Sequence, residues 1–599
     1  MQHQPELLSL LKRLWHQITA KRRRQLGILF ILMMLTSLAE VISIGAILPF
    51  LGVLTAPQRV LNHPSLSGLF DVTGIVSAPQ LLLPLTIIFC VAVMLAAAMR
   101  LLLLWTQARI SHAIGADLSM SIYMRTLYQP YAVHVARNSG EIIAAISGKA
   151  HEAVHSAIIP TLTLVGSCVF LVFTLSALIS IESNVAISAF VGFGSIYGLV
   201  AFLAKKRVLI DSRRVSVESA QVFKALQEGL GGIRDVLLDG NQSTYCDVYR
   251  RADFPLRRAQ ANIQILGSGP RFLIESLGMV LMAALALSLA GQSDGITSSI
   301  PVLGALALGA QRILPVLQQS YAALTSMRGG QASLHDALLL LEQPLPDYSN
   351  HPSRAIMDFN QSISLINVSF RYSPNLPLVL ENINLKIMKG ARVGFIGTTG
   401  GGKSTLLDVL MGLLMPTNGH VAIDGKNISP QNVRGWQAHI AHVPQAIFLA
   451  DTTISENIAL GVPIDQIDMT RVKRAAEKAQ ISEAIASWPS GYSTHVGERG
   501  VRLSGGQRQR IGIARALYKQ ADVIIFDEAT SALDNETEEA VMQSIDSLSE
   551  NLTILIAAHR LSTLKKCTLI VDLSKGTLQR VGSYEQLIDP GTKEPKGDI

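Results

Sequence analysis

Cysteine is scarce in this chain: Cys90, Cys168, Cys246 and Cys567 lie far apart among 599 residues, in neither CxxC nor Cys/His spacing. That argues against a disulfide framework and a zinc site, and leaves reduced thiols with structural roles. Charge is thin as well. Charged residues make up 16% of the chain against 49% hydrophobic, and the mean hydropathy is +0.34. A wholly soluble protein is not this apolar, so part of the chain sits in lipid. The net charge of +7 does not call for nucleic acid. Its cations gather at Lys12, Arg13, Lys21, Arg22, Arg23 and Arg24, directly before the first apolar run, where the positive-inside rule expects cytoplasmic anchoring. A cleavable signal is missing too: the apolar stretch is longer than a signal-peptide core and closes on no A-x-A-like site.

What is present is a set of long hydrophobic runs, each close to the ~20 residues a bilayer core requires. They predict six membrane helices at about 26–54, 81–105, 159–180, 184–204, 266–290 and 299–324, with both termini cytoplasmic. Lys205, Lys206 and Arg207 after the fourth agree with that orientation. Residues 56–80 form a loop in which Leu66, Leu69 and Phe70 suggest a short interfacial helix. Two polar, helix-compatible stretches, 106–158 and 205–265, imply membrane helices that run on well into the cytoplasm. The chain then divides into a lead-in (1–24), an α-helical six-span transmembrane domain (25–325), a turn-rich linker (326–360), an α/β P-loop NTPase domain (361–588) and a polar tail (589–599).

The second domain carries the clearest chemistry. Gly397, Thr398, Thr399, Gly400, Gly401, Gly402, Lys403, Ser404 and Thr405 match G-x-x-x-x-G-K-[ST], after the apolar run Val393–Ile396 and before leucines at helical spacing. In that setting glycine amides and a helix N-terminus cradle a polyphosphate, Lys403 reaches the β and γ phosphates, and the Ser404 hydroxyl is placed to ligate Mg²⁺. Val523–Phe526 reads as a buried strand ending in Asp527 and Glu528. Asp527 is placed to hold Mg²⁺ through water, and Glu528 to polarise the attacking water.

Leu503, Ser504, Gly505, Gly506 and Gln507 spell LSGGQ, and with these motifs the whole second domain resembles the ATP-binding cassette family. The resemblance implies ATP and Mg²⁺ as cofactors, Tyr372 stacking on adenine, Gln445 sensing Mg²⁺ and the attacking water, and His559 contacting the γ-phosphate. It implies that Ser531 to Asp534 communicates between two sites. It also implies a second copy of the chain as partner, because the signature of one cassette faces the nucleotide of the other. One six-span domain followed by one cassette resembles an exporter-type half-transporter, with Thr494–Gly500 similar to the loop that precedes the signature in exporters. Coupling helices are then expected near Tyr131–Gly140 and Gln227–Val236.

Ionisable residues inside spans are hypotheses of function by default. Arg100, Arg271 and Arg312 are the cations, with Glu40 and Glu275 the nearby acids. Snorkelling to the interface and ion pairing with those acids are the structural alternatives. Facing a cavity, the arginines would instead form a cationic belt suited to diphosphate oxygens. The stretches around Glu40, Asn138–Ile142, Pro270–Glu275 and Gln311–Pro315 resemble PglK-type flippases of polyprenyl-diphosphate-linked oligosaccharides. That family carries a further basic residue one or two turns beyond Arg312, where this chain has Val316, Leu317, Gln318 and Gln319. The resemblance implies an ATP-driven flippase of an anionic lipid-linked glycan in a bacterial cytoplasmic membrane, with no nucleic-acid partner. A general lipid or multidrug exporter of the MsbA kind is the alternative.

Overall fold

The computed structural model describes residues 6–46, 50, 78–136, 148–181, 183–276, 279–280, 283, 296–346, 349, 357–528, 533–546, 551–558 and 561–587. The chain divides into two compact units, one made of Met1–Gln129 and Arg137–Leu345, the other of Pro130–Ala136 and Pro346–Ile599.

The first unit is helical. Ala78–Leu127 and Ser183–Gly231 are single helices of 50 and 49 residues. At 1.5 Å per residue each is about 75 Å long, more than twice the ~30 Å of a hydrocarbon core. The polar stretches after the second and fourth apolar runs therefore begin as continuations of the same helices, as far as Leu127 and Gly231. Among the described residues three helices are long and apolar enough to cross a membrane, at Ala20–Ser43, Leu82–Leu127 and Ala150–Ala177. Of the other expected spans, 184–204 and 299–324 lie within helices Ser183–Gly231 and Ile296–Gly329, while 266–290 falls partly outside the described residues and 51–77, where the interfacial helix was expected, wholly so. The lead-in is a helix, Leu7–Gln17, with Leu10 and Leu14 buried while Leu8 and Trp15 face outward. Its apolar face packs against Leu334, Leu338 and Leu341, and Arg13 clamps Glu342 through two hydrogen bonds of 2.8 and 2.6 Å. The leucines lie in helix Gln331–Leu341 and Glu342 directly follows it, so the stretch expected to begin the linker is helix, packed within the first unit.

The second unit is a two-sheet α/β domain. Strands β1 (Ser362–Phe370), β2 (Leu380–Met388), β4 (Asn418–Ile423) and β5 (Lys426–Asn427) form an antiparallel sheet in the order β2-β1-β4-β5. Strands β3 (Arg392–Ile396), β6 (Ile440–Val443), β7 (Val523–Asp527), β8 (Thr553–Ala557), β9 (Leu569–Ser574) and β10 (Thr577–Gly582) form the second, in the order β10-β9-β3-β8-β7-β6. It is parallel except at β10. Both faces of β7 are covered: Val523 and Ile525 enter the core around Phe395 and Trp436, and Ile524 and Phe526 the core around Ile511 and Val541. A strand buried on both sides needs an unbroken apolar run, which is why Val-Ile-Ile-Phe shows no alternation.

Asp424 ties down the start of this unit. Its carboxylate accepts the main-chain N–H groups of Asn360, Gln361 and Ser362 at 2.5, 2.8 and 2.8 Å. Burial opposes its charge, but these three donors, with Lys389 behind them, hold its carboxyl below the ordinary value of 3.8. A depressed carboxyl stabilises the fold fully above its unfolded pKa and loses that contribution as pH falls through the folded one. Asp424→Asn keeps a residue tolerant of the left-handed backbone there (φ 47°). It is expected to reduce amide-exchange protection of the 360–362 segment about tenfold or more at pH 7. The difference from the unsubstituted protein should vanish as pH drops below that range.

Candidate functional site

The carboxyl ends of β3, β6, β7 and β8 lie side by side, with Phe395 opposite Ala557, Asp527 opposite Ala557 and Val443 opposite Phe526. In a parallel sheet this edge is where ligands bind, and the loops leaving it carry the expected ATPase residues. After β3 the main chain turns through Gly397 (φ 142°) and Gly402 (φ 97°), the second immediately preceding helix Lys403–Leu410. A Cβ on Gly397 would lie 1.9 Å from the Leu573 carbonyl oxygen, so no other residue fits. Lys403 is 6% exposed, and its ammonium donates to the carbonyl oxygens of Gly397 and Thr398 at 2.9 and 3.2 Å, arching back over the loop.

The two carboxylates ending β7 are held differently. Asp527 Oδ1 accepts from the Ser404 hydroxyl at 3.2 Å, and Glu528 Oε2 accepts from the Gln445 amide at 2.8 Å. Glu528 has φ 51°, and its N–H donates to Ala557 O at 2.9 Å. A non-glycine residue in the left-handed region is uncommon, and here it turns the side chain at the end of the strand. Tyr372, about two-fifths exposed, is tethered through its hydroxyl to Thr405 Oγ1 at 3.0 Å and packs edge-on to Phe370.

Two residues here, Asp408 and His442, were not singled out from the sequence, and Tyr131 was named only as the start of a coupling segment. Asp408 lies on the phosphate-loop helix, its carboxyl pushed up to about 6 by burial and then by Asp527. Burial likewise raises Asp527. An acid within the otherwise apolar run Leu406–Leu410 is the signal that could have found Asp408. His442 on β6 is held neutral by burial, against the pull of Asp527, and its Nε2 is buried without a hydrogen-bond partner. Tyr131, in the short helix Tyr131–Val135 of this same unit, has its phenol pushed up by burial and then by Asp408 and Tyr372. The first expected coupling segment thus begins beside the phosphate-loop helix, while residues 137–147 lie outside the described residues. The second meets the end of helix Ser183–Gly231 and the start of helix Ile233–Leu238.

The residues fit magnesium and a polyphosphate. Ser404, Asp527 and Gln445 are an all-oxygen donor set around a half-buried carboxyl that burial raises. Among the described residues no group of three His, Cys, Asp or Glu could hold a metal alone. Mg²⁺ is commonly bound by one or two carboxylates completed by phosphate and water.

Ser504 caps helix Gly505–Lys519. Its hydroxyl accepts from Gln507 N at 3.2 Å while the Gln507 side chain accepts from Ser504 N at 2.9 Å, leaving the amides of Gly505 and Gly506 at the helix start. Asp534 accepts from Thr537 N at 3.0 Å, at the start of helix Asn535–Asp546. His559 and Ser531 lie outside the described residues.

The three arginines of the first unit do not form a belt among the described side chains. The guanidinium of Arg100 is ion-paired with the buried carboxylate of Glu40, and Arg271 pairs with Glu275 one turn on at 3.5 Å. A carboxylate buried in an apolar helix needs a cation, and Arg100 is placed to supply one to Glu40. Arg312 lies in helix Ile296–Gly329, and its side chain is outside the described residues.

Residues 380–531 match a family model described as ABC transporter. That stretch of the second unit is an ABC transporter ATPase domain. The chain is similar to an ATP-dependent lipid A-core flippase of Alkalilimnicola ehrlichii, 28% identical over 81% of this chain and 82% of that protein. It is also similar to the heterocyst differentiation ATP-binding protein HepA of a Nostoc species, 29% identical over 95% and 93%. Among solved structures it matches that of a bacterial Atm1-family ABC exporter with ATP bound, with a TM-score of 0.77, 23% identity and coverage of 94% and 96%. The fold is thus that of an ABC exporter, a helical membrane domain joined to the cassette. The chain is an integral membrane protein that couples ATP hydrolysis to transport.

Proposed function

We propose that the protein works as a homodimer in a bacterial cytoplasmic membrane, with both termini cytoplasmic, and flips or exports an anionic lipid-linked glycan. The observation that carries the substrate class is the similarity to lipid A-core flippases along about four-fifths of both chains. The motifs shared with PglK-type flippases around Glu40 and Pro270–Glu275 narrow it to a polyprenyl-diphosphate glycan. Bound Mg²⁺ supplies charge neutralisation at the phosphates. The chain's own residues do the rest: the loop from Gly397 to Thr405 orients the polyphosphate, Ser404 and Asp527 position the metal, and Tyr372 meets the adenine. Glu528, held by Gln445, accepts a proton from the attacking water. His559 and the helix start Ser504–Gln507, the latter from the second copy, complete the γ-phosphate site. Asp534 sits where that second copy approaches.

The pairing of Arg100 with Glu40 and of Arg271 with Glu275 favours the second reading, a general lipid or multidrug exporter, because it commits two cations of the belt. A panel of lipids presented to the protein in nanodiscs separates the two. Polyprenyl-diphosphate-linked oligosaccharides should stimulate its ATPase several-fold at concentrations where neutral amphiphiles do not. Arg312→Ala should weaken that response about tenfold, as loss of one charge-assisted contact does, with a smaller loss of basal turnover. Equal stimulation by neutral amphiphiles would overturn the glycolipid assignment.

A further inference from the structure

Within the first unit lies a cavity of about 320 Å³ that none of the assigned residues enters. Four elements line it, and it opens to solvent past Gln260, Gln264 and Ser268. Helix Gln242–Ser268 contributes Gln260, Gln264 and Ser268, one face at helical spacing, and helix Ile296–Gly329 contributes Ser326. Helix Ser183–Gly231 adds Val215, and Glu152 and Ser156 come from the fourth wall. That wall is unusual: Ala150–Ala153 passes into a π-helical turn, Val154–Ile158, which contains Ser156. Such turns interrupt a helix at a cost and occur often at functional sites. The main chain at Gly330 closes the cavity against Ser156, so tightly that a Cβ there would lie 2.0 Å from the serine hydroxyl oxygen.

The chemistry of the lining is selective. Among the described residues that form it, Glu152 alone has a formal charge. The nearby Lys149 is engaged, its ammonium donating to Asp336 at 2.8 Å, and Glu152 itself bonds to Ser333. Carboxamides and hydroxyls can donate to a phosphate, but no cation in this lining neutralises one and the carboxylate repels it. The same set, donor and acceptor by turns, suits a ligand that is also donor and acceptor throughout, as a sugar is. The volume is at the small end of ligand pockets, enough for part of a glycan and not for a lipid chain.

We propose that this cavity is the glycan subsite of the transport pathway, receiving the uncharged hydroxylated part of the substrate while the diphosphate is bound elsewhere. The proposal rests on the lipid-linked glycan reading above and specifies which part of the chain reads the sugar.

The test compares two probes in nanodiscs, polyprenyl diphosphate bearing an oligosaccharide and the same polyprenyl diphosphate without it, with ATPase stimulation as readout. In the double variant Gln260→Ala/Gln264→Ala the half-maximal concentration of the glycan-bearing lipid should rise about tenfold. That of the glycan-free lipid should stay within about twofold. Glu152→Gln, which keeps the hydrogen-bonding shape and removes the charge, should bind both lipids nearly as the unsubstituted protein does. Equal shifts for both lipids, or no shift for either, would overturn the subsite, and a large loss in Glu152→Gln would mean that the cavity takes a cation. If the unsubstituted protein responds to neither lipid, the flippase reading itself fails and the subsite with it.

Discussion

Glu528→Gln should bring ATP turnover down about 100- to 10,000-fold, the usual contribution of a general base, while nucleotide binding persists. The geometry explains why the two separate. Glutamine is isosteric, and its amide oxygen can still accept from Gln445 Nε2, the partner that holds Oε2 at 2.8 Å. The left-handed backbone at residue 528 is fixed by its own N–H donating to Ala557 O at 2.9 Å, a bond the substitution leaves alone. Lys403 is held by the carbonyls of Gly397 and Thr398, and Ser404 bonds to Asp527, contacts made by other side chains than that of Glu528. What is lost is the capacity to accept a proton from water. Phosphoryl transfer leans on positioning and charge for most of its acceleration, so an intact site without its base should bind ATP and stall. The check is steady-state phosphate release beside equilibrium nucleotide binding on the purified, membrane-reconstituted protein. Near-normal turnover would remove Glu528 from the role of base.

How far the sequence could reach follows from where each property is encoded. The phosphate loop was legible because its glycines answer a local demand: at Gly397 the Leu573 carbonyl leaves no room for a side chain. The buried strand ending in Asp527 and Glu528 was legible because a strand covered on both faces must be apolar throughout. The left-handed turn at Glu528 was not, since any residue can be forced there by its neighbours and no residue type announces it. Asp408 escaped for a related reason, as its raised pKa comes from burial in the folded domain and then from Asp527 at the end of β7. The arginines show the limit most clearly. Arg100 and Glu40 are 60 positions apart, and only packing of helix Ala20–Gly45 on helix Ala78–Leu127 could decide between a cavity-facing arginine and the ion pair that was its alternative. The helix Gln331–Leu341 was hidden by its position before a turn-rich segment, although Leu334, Leu338 and Leu341 already mark its apolar face.

A heterodimer of two substituted chains should reveal whether the ATP site is shared between copies. Within one chain, Lys403 closes on the carbonyls of Gly397 and Thr398, and Ser504 caps its own helix with Gln507. Each is a complete local structure, but the amides at the start of the Gly505–Lys519 helix are aimed outward at an anion their own hydrogen bonds do not supply. If that anion is a phosphate bound by the second copy, Lys403→Ala in one chain and Ser504→Arg in the other damage the same composite site twice and leave the other intact. Placed together in one chain, the same two substitutions damage both sites. The split arrangement should therefore occlude about one ATP per dimer, and the combined arrangement essentially none, when trapping is measured on protein purified through two different affinity tags. A site contained in a single chain would reverse that order, because the combined arrangement would then spare the unsubstituted partner. The outcome decides whether nucleotide binding can draw two chains together, which is the step that lets the cassettes do work on the membrane domains.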